Sequence, residues 1–188
     1  MKPLPQILFW RRLDVAGLER LTLTIAENRM VADATTIGVE DGGFRVKHRW
    51  ELTPNWSVAS CIVRKEGASG RTKLALERYG NGWKVDGNVR PDLEGAREPD
   101  LSITPFCNTF PIQHMLAADQ DELTLDTSFI DAATMRVSRS QQSYQRLDSK
   151  RFHYLDLGVA DGFEADISVG QMGLVPRYEG LFERVEAQ

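Results

Sequence analysis

Period-two alternation constrains this chain more than any other feature. In "LERLTLTIAE" (18–27), Leu21, Leu23 and Ile25 share one face, and in "GFRVKHRWEL" (43–52), Phe44, Val46, His48 and Trp50 do the same. "WSVASCIVRK" (56–65) and "RTKLALERY" (71–79) follow the same rule. Apolar side chains spaced by two point one way only on an extended strand. Turn signals separate the runs: Asp41-Gly42-Gly43, Pro54-Asn55, Gly67 to Gly70, and Gly80-Asn81-Gly82. The pattern predicts a meander of antiparallel strands on short loops. It resumes in "ELTLDTSFID" (122–131), "TMRVSRSQQSYQRL" (134–147), "KRFHYLDL" (150–157), "GFEADISV" (162–169) and "GLVPRYEGLFERV" (173–185).

One segment breaks the pattern. In "TPFCNTFPIQHMLAA" (104–118), Thr104 suits a helix N-cap and Pro105 the first helical position. Pro111 cannot donate an interior hydrogen bond, so either the helix starts near Thr109 behind a turn or it kinks at Pro111. Phe106, Phe110, Ile112, Met115 and Leu116 cover most of its circumference. A helix apolar on nearly all sides is a buried one. The expectation is a single domain over residues 1–188, α+β but strongly β-rich, with a long antiparallel sheet wrapped around a single buried helix.

Charge and motifs narrow the function. The net charge of −4, from 23 Lys+Arg and 27 Asp+Glu, is interspersed along the chain. No basic run marks a nucleic-acid footprint. No stretch approaches the ~20 apolar residues of a membrane span. The apolar run from Ile7 to Trp10 is too short for a secretory core and is followed by two arginines, so a cytoplasmic protein is expected. Cys61 and Cys107 stand alone, without metal-ligand spacing, and are expected to be reduced packing residues. Nucleotide, zinc-protease, serine-hydrolase and calcium motifs are missing, so no cofactor and no catalytic residue is assigned. His48 lies on the apolar face of its strand, as a core or pocket-wall residue does. His114 sits on the helix, where it could face a ligand, and His153 falls on the surface phase of its strand.

The densest polar signal is "DGNVRPDLEGAREPDLSITPFCNTFP" (86–111). It carries Asp86, Asp92, Glu94, Glu98 and Asp100, and four of the eight prolines. Two readings compete. Acids, prolines and glycine can make a solvated irregular loop. Alternatively, carboxylates gathered in a concavity accept hydrogen bonds from hydroxyls, amines or a cation. Arg90 and Arg97 are interleaved, and Glu98 and Asp100 precede a helix N-terminus, whose dipole favours anions. Asn108 and Thr109 are polar positions on an apolar helix. They either tie to backbone carbonyls or face a cavity. Trp83 and Tyr144 are the aromatics taken as candidates to stack on a sugar face.

The run "GWKVDGNVRPDLEGAREPDLSITPFCNTFPI" resembles the centre of a bacterial glycolipid-binding family first catalogued as a domain of unknown function. Trp83, Asp86, Gly87, Pro91, Asp92, Leu93, Gly95, Asp100, Leu101, Thr104, Pro105, Asn108, Thr109, Pro111 and Ile112 carry the match. "YQRL" (144–147), "FHY" (152–154), "FEADISV" (163–169) and "GLVPRYEGLFERV" (173–185) extend it, and "LFWRRLD" and "ERLTL" fit more loosely. Ala96, Glu98 and Pro99 stand where the family pattern has Cys, Asp and Val, so no thiol chemistry is possible at 96. The resemblance implies a spiral β-roll, a homodimer, an acidic pocket and remote similarity to lipoprotein carriers. The leading expectation is a non-enzymatic binder of a glycolipid or other sugar-containing small molecule. Asp86, Asp92, Glu98 and Asp100 would accept from sugar hydroxyls, Asn108 and Thr109 would orient the headgroup, and apolar walls between sheet and helix would take acyl carbon. The alternatives are a sugar-conjugate enzyme using paired carboxylates and a structural or dimerisation module without a ligand.

Overall fold

The computed structural model describes residues 5–186. Eight strands lead: β1 (Gln6–Arg12), β2 (Gly17–Ile25), β3 (Met30–Gly38), β4 (Phe44–Leu52), β5 (Val58–Gly67), β6 (Gly70–Tyr79), β7 (Gly82–Val85) and β8 (Asn88–Arg90). A short β9 (Pro99–Leu101) and the helix α1 (Thr109–Ala118) follow. The chain ends with β10 (Glu122–Asp131), β11 (Arg136–Arg146), β12 (Arg151–Asp156), β13 (Glu164–Ser168), β14 (Arg177–Tyr178) and β15 (Phe182–Val185). All fifteen lie in one sheet, ordered β8 down to β1, then β15 down to β9. Pairing of β1 with β15, Phe9 opposite Val185, joins the two meanders into one sheet.

The alternation predicted from sequence is the alternation of burial. On β4, Val46, His48, Trp50 and Leu52 are buried while Arg45, Lys47 and Glu51 are exposed. Strand β3 carried no comparable signal. Its inward side chains are Met30, Ala32, Ala34 and Thr36, mostly small and weakly apolar.

Among the described residues every strand pair is antiparallel except β9 with β10, where Asp100 lies opposite Phe129. Parallel neighbours need a crossover connection, usually helical. Here that crossover is a 3-10 turn (Pro105–Asn108) running into α1, which explains why a meander of strands contains a helix at all. The Thr104 hydroxyl caps the turn by accepting from Phe106 N at 3.2 Å. Pro111 is the third residue of α1, where the amide has no intrahelical partner to lose. The helix therefore starts at Thr109, unkinked.

The roll packs around the start of this crossover. Phe106 and Phe110 meet edge to face at 5.2 Å between centroids, and Trp50 of β4 lies 5.5 Å from Phe110. All three are fully buried, with Ile112 and Met115 beside them. Burial is not complete along the helix: Gln113, His114 and Leu116 are half-buried, and Ala117 and Ala118 are exposed. Among the described residues no helix is long and apolar enough to cross a membrane.

The two free edges of the sheet, β8 and β9, are joined by residues 91–98. That segment is a seam. Gly95 N donates to Asn81 O at 2.7 Å on one side, and Arg97 N donates to Asp126 O at 2.7 Å on the other. Ser128 N donates to Glu98 O at 3.1 Å. Arg139 reaches Glu94 O at 2.9 Å and Arg90 reaches Val137 O at 3.1 Å. An unpaired sheet edge invites aggregation, and the seam covers both edges by tying β7 and β8 to β10 and β11.

Candidate binding cavity

The acids of residues 86–111 do not converge on one point. Asp86 turns the β7–β8 hairpin with φ 48° and accepts from Ala75 N at 2.9 Å. Asp92 is exposed and paired with Arg90 at 2.7 Å. The hydrogen-bonded guanidinium holds its carboxyl below the usual range. Trp83 is core: its indole donates to Ala96 O at 3.0 Å, and the Arg78 guanidinium stacks 3.9 Å from its ring.

Glu98 is buried inside the seam. It accepts from Val58 N at 2.8 Å and from Arg78 at 3.2 Å, with His114 Nε2 3.8 Å from its other oxygen. Burial pushes its carboxyl up to about 7 despite these donors, and burial also pulls the Arg78 and His114 values down. Taking these charges out of water costs more than their pairing returns.

Asp100 alone among the four predicted acids reaches an open cavity of about 260 Å³ beside the start of the crossover. A second carboxylate, Asp156 at the end of β12, lines the same cavity. Gln142 donates to Asp100 Oδ2 at 2.5 Å. Burial, with a smaller push from the Asp156 charge, raises Asp100 to about 6. Asp156 is held rigidly: Oδ1 accepts from Gly158 N at 2.8 Å and Ala160 N at 3.1 Å, and Oδ2 from the Tyr154 hydroxyl at 3.1 Å. Gly158 is required for this turn, since a Cβ there would lie 2.7 Å from the Gln141 backbone nitrogen.

Aromatic rings form one wall. Tyr154 lies 5.8 Å from Tyr178 and 6.2 Å from Phe163, and all three line the cavity. Burial, together with the charges of Asp100 and Asp156, keeps both tyrosine hydroxyls protonated far above the ordinary phenol range. Asn108 lines the cavity as well. Tyr144, fully buried behind it, sets its hydroxyl 2.9 Å from Asn108 Oδ1 and 3.3 Å from Gln142 Oε1. The single Tyr144 proton is shared between these two carbonyl oxygens, the Asn108 contact being the shorter, and the Gln142 amide in turn holds Asp100. Thr109 points elsewhere: its hydroxyl oxygen is buried and has no hydrogen-bond partner among the described residues.

Asp156, Phe163 and Tyr178 were not among the residues singled out from sequence. The available signal was a polar residue on the inward phase of a strand. In β12 the buried set is Phe152, Tyr154 and Asp156, and an inward carboxylate has to be doing something other than filling the core. Gln142 on β11 carries the same signature. Among the described residues no cluster of His, Cys, Asp and Glu has the arrangement of a metal site.

A sequence profile of the family described as "Putative glycolipid-binding" matches residues 7–184. The chain belongs to this family. It is similar to a DUF1089 family protein from Pseudomonas aeruginosa, solved as a crystal structure, with 27% identity and a TM-score of 0.77 over 90% of this chain and 92% of that one. The fold is also that of a beta-barrel-like protein of domain of unknown function DUF1849 from Brucella abortus, at 9% identity and a TM-score of 0.56 over 99% and 98% of the two chains. A search of curated proteins finds no match.

Proposed function

We propose that this member of the glycolipid-binding family binds a sugar headgroup in the cavity between Asp100 and Asp156. The observation that carries the reading is the pairing of two carboxylates with the Tyr154, Phe163 and Tyr178 rings in one open cavity. Carboxylates accept hydrogen bonds from sugar hydroxyls, and flat aromatic faces suit the apolar faces of a pyranose. Asn108 offers an amide beside them, oriented by Tyr144.

Size limits what enters. Ligand pockets generally span roughly 300–1,000 Å³, and this one is about 260 Å³. It suits one headgroup and not a whole lipid. Acyl carbon has no obvious room between sheet and helix, where Trp50, Phe106 and Phe110 fill the space. In this reading the chains leave the cavity along Leu181, which lines it and is half-buried.

Native mass spectrometry and lipid extraction of the purified protein, followed by titration with short-chain alkyl glycosides, test the proposal. Binding that Asp100→Asn and Asp156→Asn each weaken supports it. No bound lipid, and no binding across a panel of headgroups, would sink it.

The raised carboxyl of Asp100 beside Asp156 favours a second reading, acid–base chemistry on a glycoside by the pair. Release of the leaving group from chromogenic glycosides, lost in Asp100→Asn, would support turnover. Stable, unhydrolysed complexes would leave binding as the function.

A further inference from the structure

The chain carries a net charge of −4, yet one band on the outer face of the sheet is basic, bordered on one side by a row in which Arg49 is paired with Asp33. Register assembles it. Arg20 lies opposite Thr35, Thr35 opposite Lys47, Lys47 opposite Arg64, and Arg64 opposite Lys73, which makes one straight row across β2 to β6. Strands spaced ~4.8 Å apart make that row roughly 19 Å long. Lys47, Arg64 and Lys73 are immediate cross-strand neighbours, all exposed. Among the described residues none of the three makes a salt bridge or side-chain hydrogen bond. Like charges directly opposite one another destabilise a sheet, so this row costs folding stability.

The next row has a different composition. It reads Arg11, Leu18, Ile37, Arg45, Glu66 and Arg71 in successive register. Glu66 is shared by Arg45 at 2.5 Å and Arg71 at 2.9 Å. Leu18 is 45% exposed and Ile37 55% exposed. A shallow groove of about 430 Å³ runs over β4 to β6 between these rows, lined by six Lys and Arg residues and a single acid.

We propose that this face docks the protein on an anionic phospholipid membrane surface. The cations match the charge of the headgroups. The exposed Leu18 and Ile37 beside them decide between anionic partners. Apolar side chains gain by entering the headgroup boundary and gain nothing against a phosphate polymer. No basic run appears in the sequence, because the cations sit on different strands, separated along the chain by inward-facing apolar residues.

Flotation with phosphatidylcholine vesicles, with and without phosphatidylglycerol, tests this at low and high salt. The vesicles hold no glycolipid, so the result is independent of the cavity and the two proposals fail separately. The protein is expected to float only with anionic vesicles at low salt. Each basic side chain at such a surface multiplies partitioning roughly fivefold. The triple variant Lys47→Gln, Arg64→Gln, Lys73→Gln should therefore lose roughly a hundredfold, with its urea midpoint held or raised. Ile37→Ser should weaken binding further. A control triple removing the same charge elsewhere, Arg29→Gln, Arg136→Gln, Lys150→Gln, should change it far less. Absence of binding to anionic vesicles, equal losses in both triples, or binding to duplex DNA in place of vesicles overturns the proposal. Lys47→Gln and Lys73→Gln, tested singly, read the same face if the triple variant misfolds.

Discussion

The Trp50 indole N–H donates to His48 Nδ1 at 2.8 Å inside the roll. An indole nitrogen can only donate, so Nδ1 accepts and the neutral ring carries its proton on Nε2. Nε2 faces Glu19 Oε1 at 3.4 Å and the Thr36 hydroxyl at 3.5 Å. The same Glu19 oxygen accepts from the Thr104 hydroxyl at 2.9 Å. Thr104 lines the cavity and opens the 3-10 turn. A buried polar chain therefore ties β4 and β2 to the point where the crossover begins.

Trp50→Phe tests whether the indole sets this arrangement. It keeps an aromatic ring and deletes the donor, leaving Nδ1 buried without a partner. Lost volume and the unsatisfied acceptor together should cost about 2–4 kcal/mol in urea denaturation. Nitrogen-15 NMR of His48 should report protonated Nε2 in the parent and a mixture of tautomers in the variant. An unchanged tautomer would mean that Glu19, not Trp50, governs the ring.

Glu98 predicts how stability responds to pH. Its carboxyl sits at about 7 in the fold, raised by burial from an ordinary value of 4.5. Between those values the unfolded chain is ionised while the folded chain keeps its proton, so ΔG of unfolding falls as pH rises from about 4.5 through about 7. The stabilising contribution is complete below the lower value and gone above the higher. A shift of this size corresponds to something on the order of 3 kcal/mol. Glu98→Gln retains an acceptor for Val58 N and should flatten the profile. Urea midpoints measured across this window check it, and a variant with the parent's slope would assign the slope to other groups.

The long strands were readable because their inward residues are large: Leu21 and Leu23 on β2, Val46 and Trp50 on β4. Strand β3, built on alanines, was not. Pro111 allows two helix starts in the sequence, and the 3-10 turn settles it at Thr109. Residues 86–111 read as one acidic group because neighbours in sequence suggest neighbours in space. The segment instead crosses the seam, leaving Asp86 and Asp92 on the outside, Glu98 within it, and only Asp100 at the cavity. The second cavity acid comes from β12, and only the closure of the roll brings it to β9. Sequence spacing holds no trace of that closure, whereas an inward-facing Asp on an otherwise apolar strand face does point to something to be explained.

Thr109 offers a test in the opposite direction. Its hydroxyl is buried, and its oxygen has no partner among the described residues. Thr109→Val keeps the shape and the β-branch and removes the unsatisfied group. Deleting an unpaired buried polar atom should stabilise by about 1 kcal/mol, seen as a higher urea midpoint with an unchanged slope. A midpoint lowered by as much would show that the hydroxyl serves a structural bond after all.

Asp100 links the proposed ligand to pH. Its carboxyl titrates at about 6, raised by burial first and by the Asp156 charge second. Among the described residues its Oδ1 accepts no hydrogen bond, while Oδ2 is taken by Gln142. If Oδ1 accepts from a sugar hydroxyl, the ionised form is the competent one. Affinity for an alkyl glycoside should then rise between pH 5 and pH 7 and level off above, the midpoint tracking the value of about 6. A hydrogen bond to a charged acceptor contributes about 1.5–3 kcal/mol, so Asp100→Asn should weaken binding roughly 10- to 150-fold at pH 7 and leave a flat profile. Isothermal titration at several pH values measures both. An affinity that falls as pH rises would mean that the protonated acid is the binding form, donating to the ligand instead of accepting from it.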